Sequence, residues 1–278
     1  MCKLCDAKQP IWNGRRAFLL AAGAAAATPV LAQVEVGQSS RLRSLVPANE
    51  LEVAAAQQYG QLLEQARAKH ALAPESHPQL QRLRKIATNL IHDAPRWNER
   101  ARSWKWEVNL IGSQSINAFC MPGGKIAFFT GILDKLQLTD DECAMVMGHE
   151  MAHALREHAR ERIAKSQGTG ALLSLGAALF GLGQLGDLAA NVGTQLLSLK
   201  FSRDDEVEAD LVGLEMGARS GYNPEAAVSL WQKMEKASGN SNGAGFLSTH
   251  PSGADRIRRL QDNVPRVRGL YEQAVARR

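Results

Sequence analysis

His149-Glu150-Met151-Ala152-His153 closes the run Thr139-Asp140-Asp141-Glu142-Cys143-Ala144-Met145-Val146-Met147-Gly148, and the whole stretch reads as one buried helix carrying a metal site. Residues four apart share a helix face, with Cβ atoms roughly 5–6 Å apart. His149 and His153 can therefore bind one Zn²⁺ at about 2.0–2.1 Å each. Glu150 is too close in sequence to be the third ligand, but it is placed to take a proton from water at the metal. Thr139 and Glu142 have the spacing of a capping box. Ala144, Met145, Val146, Met147, Ala152, Ala154 and Leu155 make the helix apolar on most of its circumference, which predicts burial. An unpaired imidazole is costly there, and metal ligation removes the cost. The helix is expected to run to about Lys165. A metzincin would need Gly at 156 and His at 159; the chain has Arg156 and Ala159, so that class is excluded and His158 is not counted as a ligand.

The third ligand must come from elsewhere. Ser202-Arg203-Asp204-Asp205-Glu206-Val207-Glu208-Ala209-Asp210 looks like a second helix start with Ser202 as N-cap. Taken alone, it is the acidic, dipole-matched first turn of a surface helix. Coupled to the two histidines, it supplies Glu206 as a carboxylate ligand and Asp210, one turn on, to orient an imidazole. Glu208 points roughly opposite.

Other elements follow from periodicity. Helices are expected near Pro47–Ala71 and His77–His92, and a strand over Trp104–Ile111. Ile116–Met121 and Lys125–Thr130 flank Pro122-Gly123-Gly124, a turn between two apolar runs. His70, His77 and His92 read as ordinary surface residues. Thr249-His250-Pro251 precedes a last helix over about Ala254–Asp262, and Pro251 holds His250 extended so that its ring can project.

The succession Asn117-Ala118-Phe119-Cys120-Met121-Pro122-Gly123-Gly124, Phe129-Thr130-Gly131-Ile132-Leu133, HExxH, Ser202-Arg203…Glu206…Glu208-Ala209-Asp210 and Thr249-His250-Pro251 resembles the HtpX/BepA/Oma-type zinc metallopeptidases. These are gluzincins related to the CaaX prenyl proteases, and the resemblance covers roughly Leu51 to Val264. It implies one Zn²⁺ per chain on His149, His153 and Glu206, Glu150 as general base, and Asp210 behind the ligands. It implies that His250 lies near the metal, either bonding an oxyanion or occupying the open metal position; the alternative is a turn histidine on Trp231 or in solvent. It implies that the edge strand, assigned to Asn117, Ala118 and Phe119, receives an extended substrate; the alternative is plain core strand. The expected fold is α+β and mostly helical, zincin-like, with a small antiparallel-containing sheet packed on the HExxH helix. Cys120 and Cys143 depart from the small or apolar residues usual at those places.

Residues 1–32 read as a signal peptide. Arg15-Arg16-Ala17-Phe18-Leu19 begins it, an Ala/Gly run follows, and Val30-Leu31-Ala32 offers a cleavage site. The paired arginines favour twin-arginine export over an ordinary secretory signal. The division is then 33–46 linker, 47–265 zinc metallopeptidase domain and 266–278 basic, frayed tail. Cleavage after Ala32 implies a periplasmic protein. The formal net charge of +5 falls to about +2 without the signal, which gives no case for nucleic acid. About 246 residues remain, enough for a single core. Cys120 and Cys143 form either a disulfide or two small buried hydrophobes. Ser166 to Gly186 lacks charge but is Gly-rich, and reads as loose helices over the cleft or on a membrane surface rather than a span.

The function these readings imply is metalloendopeptidase cleavage of misfolded cell-envelope proteins, with protein or peptide partners and peripheral membrane contact as an added option. A zinc-stabilised periplasmic chaperone or assembly factor with little proteolysis is the alternative. Oligomeric state is not read from the sequence.

Overall fold

The computed structural model describes residues 34–166, 196, 199–238, 246–250 and 254–277. The expected signal segment, and residues 167–186 of the Gly-rich stretch, lie outside the described residues.

Helix α1 (Ala48–Ala68) buries Leu51, Ala55, Tyr59 and Ala66. Helix α2 (Pro78–Ile91) buries Leu80, Leu83, Ile86, Ala87 and Leu90, one stripe at spacings of three and four. His77 is more than a surface residue. Its Nδ1 accepts from the Gln79 N–H at 3.2 Å as the N-cap, and Pro78 at N1 removes a donor that would otherwise go unpaired.

The sheet has three strands, β1 (Glu107–Ile111), β2 (Ala118–Met121) and β3 (Lys125–Phe129), in the order β1-β3-β2. β1 runs parallel to β3 and β2 antiparallel to it, with Ala118 opposite Phe128 and Cys120 opposite Ile126. The first strand starts at Glu107 rather than Trp104. The Trp104 and Trp106 rings pack on each other at 5.2 Å, and Trp106 covers the hairpin turn. There Gly124 has φ +78°, and a Cβ would meet the Trp106 ring at 2.7 Å. Only glycine fits that turn.

Helix α3 (Thr130–Leu136) leads into α4 (Asp140–Leu155), whose capping box forms as expected between Thr139 and Glu142. Every residue of α4 from Glu142 to Leu155 is buried. It packs on α2, on β2 and on two later helices, α6 (Arg203–Arg219) and α7 (Ala226–Ser238). The expectation that this helix continues to Lys165 is corrected. It stops at Leu155, Glu157 takes a left-handed φ of +61°, and a new helix α5 spans His158–Ser166. No glycine or proline marks the break. Ion pairs brace it: Arg156 to Glu208 and Glu157 to Arg43 across the fold, and Glu157 to Arg160 within the next turn.

A short turn α8 (Phe246–Thr249) and the long helix α9 (Ala254–Ala276) complete the described chain. The basic tail is therefore also corrected. Residues 266–276 continue α9 through Pro265, because Leu260, Val264, Val267 and Leu270 keep one apolar stripe buried in the main core. Nor is 33–46 a free linker. Val34 and Val46 are buried, the Val34 N–H donates to Glu215 at 2.5 Å, and Arg160 donates to the Val46 carbonyl. Cys120 and Cys143 are both free and buried, and burial pushes the Cys143 thiol up to about 12. The disulfide option falls in favour of two small core side chains.

Candidate metal centre

Three separate segments converge on one point. α4 presents His149 and His153, the first turn of α6 presents Glu206, and the residue after α8 presents His250. One ligand atom from each lies within 4.8 Å of the others, and all four residues are buried. His149 Nε2 is 3.2 Å from His153 Nε2, 3.3 Å from His250 Nδ1 and 3.5 Å from Glu206 Oε2. His153 Nε2 is 3.6 Å from Glu206 Oε1, and His250 Nδ1 is 2.9 Å from the same oxygen. A tetrahedral zinc with bonds of about 2.0–2.1 Å sets its ligand atoms roughly 3.3–3.4 Å apart. The donor set fits.

The far sides of the rings make the same point. His149 Nδ1 lies 3.0 Å from Asp210 Oδ1, so a proton on that nitrogen faces the carboxylate and Nε2 is the nitrogen turned toward the other donors. His153 turns its Nδ1 to His158 Nδ1 at 2.9 Å and also points Nε2 inward. Two buried ring nitrogens this close need a positive charge between them, a proton in the metal-free site or a cation in its place.

Electrostatics supports the arrangement. Burial opposes ionisation of Glu206, but His149, His250 and His153 outweigh it and hold the carboxyl well below its usual range. Asp210 is likewise lowered, burial being overcome by Arg256 and His149. Burial works against protonated His149 too, yet Asp210 and Glu206 raise it to about 9 in the metal-free site. His153 goes the other way, lowered chiefly by burial. Glu150 is raised by burial, its Oε1 lies 3.6 Å from His250 Nε2, and that oxygen has no hydrogen-bond partner among the described residues.

Two residues escaped the sequence reading. Arg256, at the start of α9, donates from Nε and Nη2 to both Asp210 oxygens at 2.7 and 2.8 Å. Its Nη1 comes to 2.6 Å from Glu206 Oε2, and its guanidinium covers the Trp231 ring at 3.6 Å. Phe201 stacks on His153 at 3.9 Å. Neither has a local signal: Arg256 reads as one of many surface arginines until the fold brings its partners to it.

Beside the centre runs a cleft lined by Asn117, Ala118, Phe119, Glu150, His153 and His250. β2 is an edge strand, so its outer backbone groups face that cleft without a neighbouring strand among the described residues. The Phe246 N–H donates to the Ile116 carbonyl at 2.8 Å, tying the His250 turn to the start of the strand.

Comparison with known proteins agrees with this geometry. The family model described as peptidase family M48 matches residues 77–264. The chain is 40% identical over 163 residues to the mitochondrial metalloendopeptidase OMA1 of Schizosaccharomyces pombe, covering 58% of this chain and 47% of that protein. It is 41% identical over 160 residues to the protein of the same name from Arabidopsis thaliana, covering 57% and 32%. It is 27% identical over 200 residues to the metalloprotease LoiP of Escherichia coli, covering 70% and 75%. The chain thus spans about half or less of the length of the two OMA1 relatives. These names overturn the expected periplasmic location, since the relatives matched at 40% and 41% identity are mitochondrial proteins. No helix among the described residues is long and apolar enough to cross a membrane. The matched span contains the HExxH helix, Glu206, Asp210, His250 and Arg256, and the chain belongs to peptidase family M48.

Proposed function

We propose that this protein is a zinc-dependent metalloendopeptidase that cleaves extended segments of protein substrates. One observation carries the reading: four buried donor atoms from three distant segments stand at tetrahedral spacing beside a carboxylate oxygen that has no partner among the described residues. His149, His153 and Glu206 would hold the ion, with His250 in the fourth position at rest. When bound, zinc supplies the Lewis acidity that hydrolysis of an amide requires.

The protein's own groups do the rest. Glu150, desolvated and free to accept, takes a proton from the attacking water and returns it to the leaving amine. His250, once displaced from the donor set, lies where a hydrogen bond to the developing oxyanion is available. Asp210 and Arg256 keep the ligands oriented and balance their charge. A substrate added to the outer edge of β2, along Asn117, Ala118 and Phe119, satisfies its own backbone groups while its scissile bond reaches Glu150. Misfolded cell-envelope proteins are the substrates that the resemblance implies; the family match and the relatives' names support the coarser class, protein or peptide substrates.

The test is a Glu150→Gln variant of the full chain. It should bind one zinc and lose casein cleavage by about 10²–10⁴-fold. Undiminished, chelator-sensitive cleavage would remove Glu150 from this role. The four-donor set also lends support to the second reading, a zinc-stabilised chaperone, because structural zinc sites are closed by four protein ligands. Binding of unfolded protein without new termini would favour that reading.

A further inference from the structure

We infer that Glu208 and His158 form a hydrogen-bond relay that fixes the tautomer and aim of the second ligand, His153. This rests on the proposed zinc site and adds two positioning residues to it. His158 is buried, at 1% exposure. Its Nε2 lies 2.8 Å from Glu208 Oε2 and its Nδ1 2.9 Å from His153 Nδ1. With His158 neutral, the direction of each bond follows. A carboxylate only accepts, so His158 carries its proton on Nε2 and donates it to Glu208. His158 Nδ1 is then a lone pair, which can only accept from His153 Nδ1–H. That leaves His153 Nε2 unprotonated, facing Glu206 and His149, as ligation demands.

The relay explains three further features. Glu157, the residue before His158, is held left-handed at φ +61°. Such a conformation is unfavourable for a non-glycine residue, and here it turns the chain so that His158 folds back over His153. Arg156 pairs with the other oxygen of Glu208, holding the carboxylate in line. The acids of α6 also divide their work by helical angle. Glu206 and Asp210, one turn apart, face the donor set and His149. Glu208, about 200° around from either, reaches His153 through His158. Each ligand imidazole thus has a carboxylate behind it, one directly and one through a second ring.

Zinc affinity tests this, measured by competition with a chromophoric chelator on the full chain, alongside melting of the zinc-free proteins. His158→Ala and Glu208→Ala should each raise the zinc dissociation constant about 10–100-fold. The double variant should be no worse than His158→Ala alone, since the two act in series. Glu208→Gln, whose amide oxygen still accepts from His158, should recover most of the loss. Glu208 is partly exposed, so its variants remain informative if His158→Ala fails to fold. Unchanged zinc affinity with lowered melting of the zinc-free protein would make the pair merely structural and overturn the relay. Additive effects in the double variant would overturn it as well. A wild-type chain that binds no zinc would instead sink the underlying site, a distinct result.

Discussion

Gly213 of α6 meets Gly148 of α4 backbone to backbone: a Cβ at 213 would lie 2.7 Å from the His149 nitrogen and 2.8 Å from the Gly148 carbonyl carbon. Gly148 directly precedes His149, and Gly213 is on the same helix as Glu206. The absence of side chains at the crossing is what lets the donor atoms of both helices converge.

Gly213→Ala should therefore act on the site as well as on the core. Overpacking of a close-packed crossing costs about 1–3 kcal/mol, and the helices must separate to admit the methyl group. Expected outcomes are a lower urea midpoint and weaker zinc binding. A stable variant with unaltered zinc affinity would show that the crossing has slack.

Arg256→Met should be among the most damaging single changes. It leaves Asp210 and Glu206 buried without their cation, and removing one partner of a buried pair costs about 3–5 kcal/mol. Arg256→Lys should recover only part of this, because an ammonium cannot make the two-pronged contact to Asp210. Urea unfolding of the zinc-free proteins measures both. A loss under about 1 kcal/mol for Arg256→Met would contradict the assignment.

Zinc binding should release a proton near neutral pH. His149 is raised to about 9 in the metal-free site, above the ordinary histidine value. Below about 9 zinc must displace that proton, so affinity rises with pH, about tenfold per unit between roughly 6.5 and 9. In the zinc-free protein the sign reverses for stability. The contribution of that proton is complete below about 6.5 and is lost as pH climbs through 9. Zinc titrations at pH 7 and 8 decide the first point, and pH-independent affinity would refute it.

His250→Ala should keep one zinc per chain but open its fourth position. With cobalt in place of zinc, the visible spectrum of the variant should respond to added azide, while that of the wild type stays unchanged. An equal response from both would show that His250 does not occupy the donor set at rest.

Ending the chain after Pro265 should destabilise it, since Val267 and Leu270 are buried in the main core. Leu270→Ala alone should cost about 2 kcal/mol or more. A truncated chain with an unchanged melting temperature would return residues 266–277 to the status of a tail.

Much of the centre was legible because its signals are local. His149 and His153 share a face whatever the rest of the chain does, and the capping pattern of Thr139 with Glu142 marks where their helix begins. The hairpin around Gly123-Gly124 follows from turn chemistry in the same way. The break after Leu155 was not legible. Arg156 and Glu157 have ordinary helical propensities, and the ion pairs of Arg156 to Glu208 and of Glu157 to Arg43 and Arg160 accompany the left-handed turn at Glu157. The extension of α9 through Pro265 was masked by a proline whose local cost is outweighed by burial on both sides.

By itself, then, the sequence determined the HExxH helix, the acidic helix that answers it and the turn-linked strands beside them. Each of these depends on interactions between residues a few positions apart. Only the tertiary structure decided that Arg256 neutralises Asp210 and Glu206, that His158 and Glu208 stand behind His153, and that His250 enters the donor set. Those partners are 44 to 50 residues apart for Arg256, His250 and Glu208, and 101 apart for His250 and His149. At such separations no periodicity links two side chains. Their meeting is set by how helices cross and which surfaces they bury.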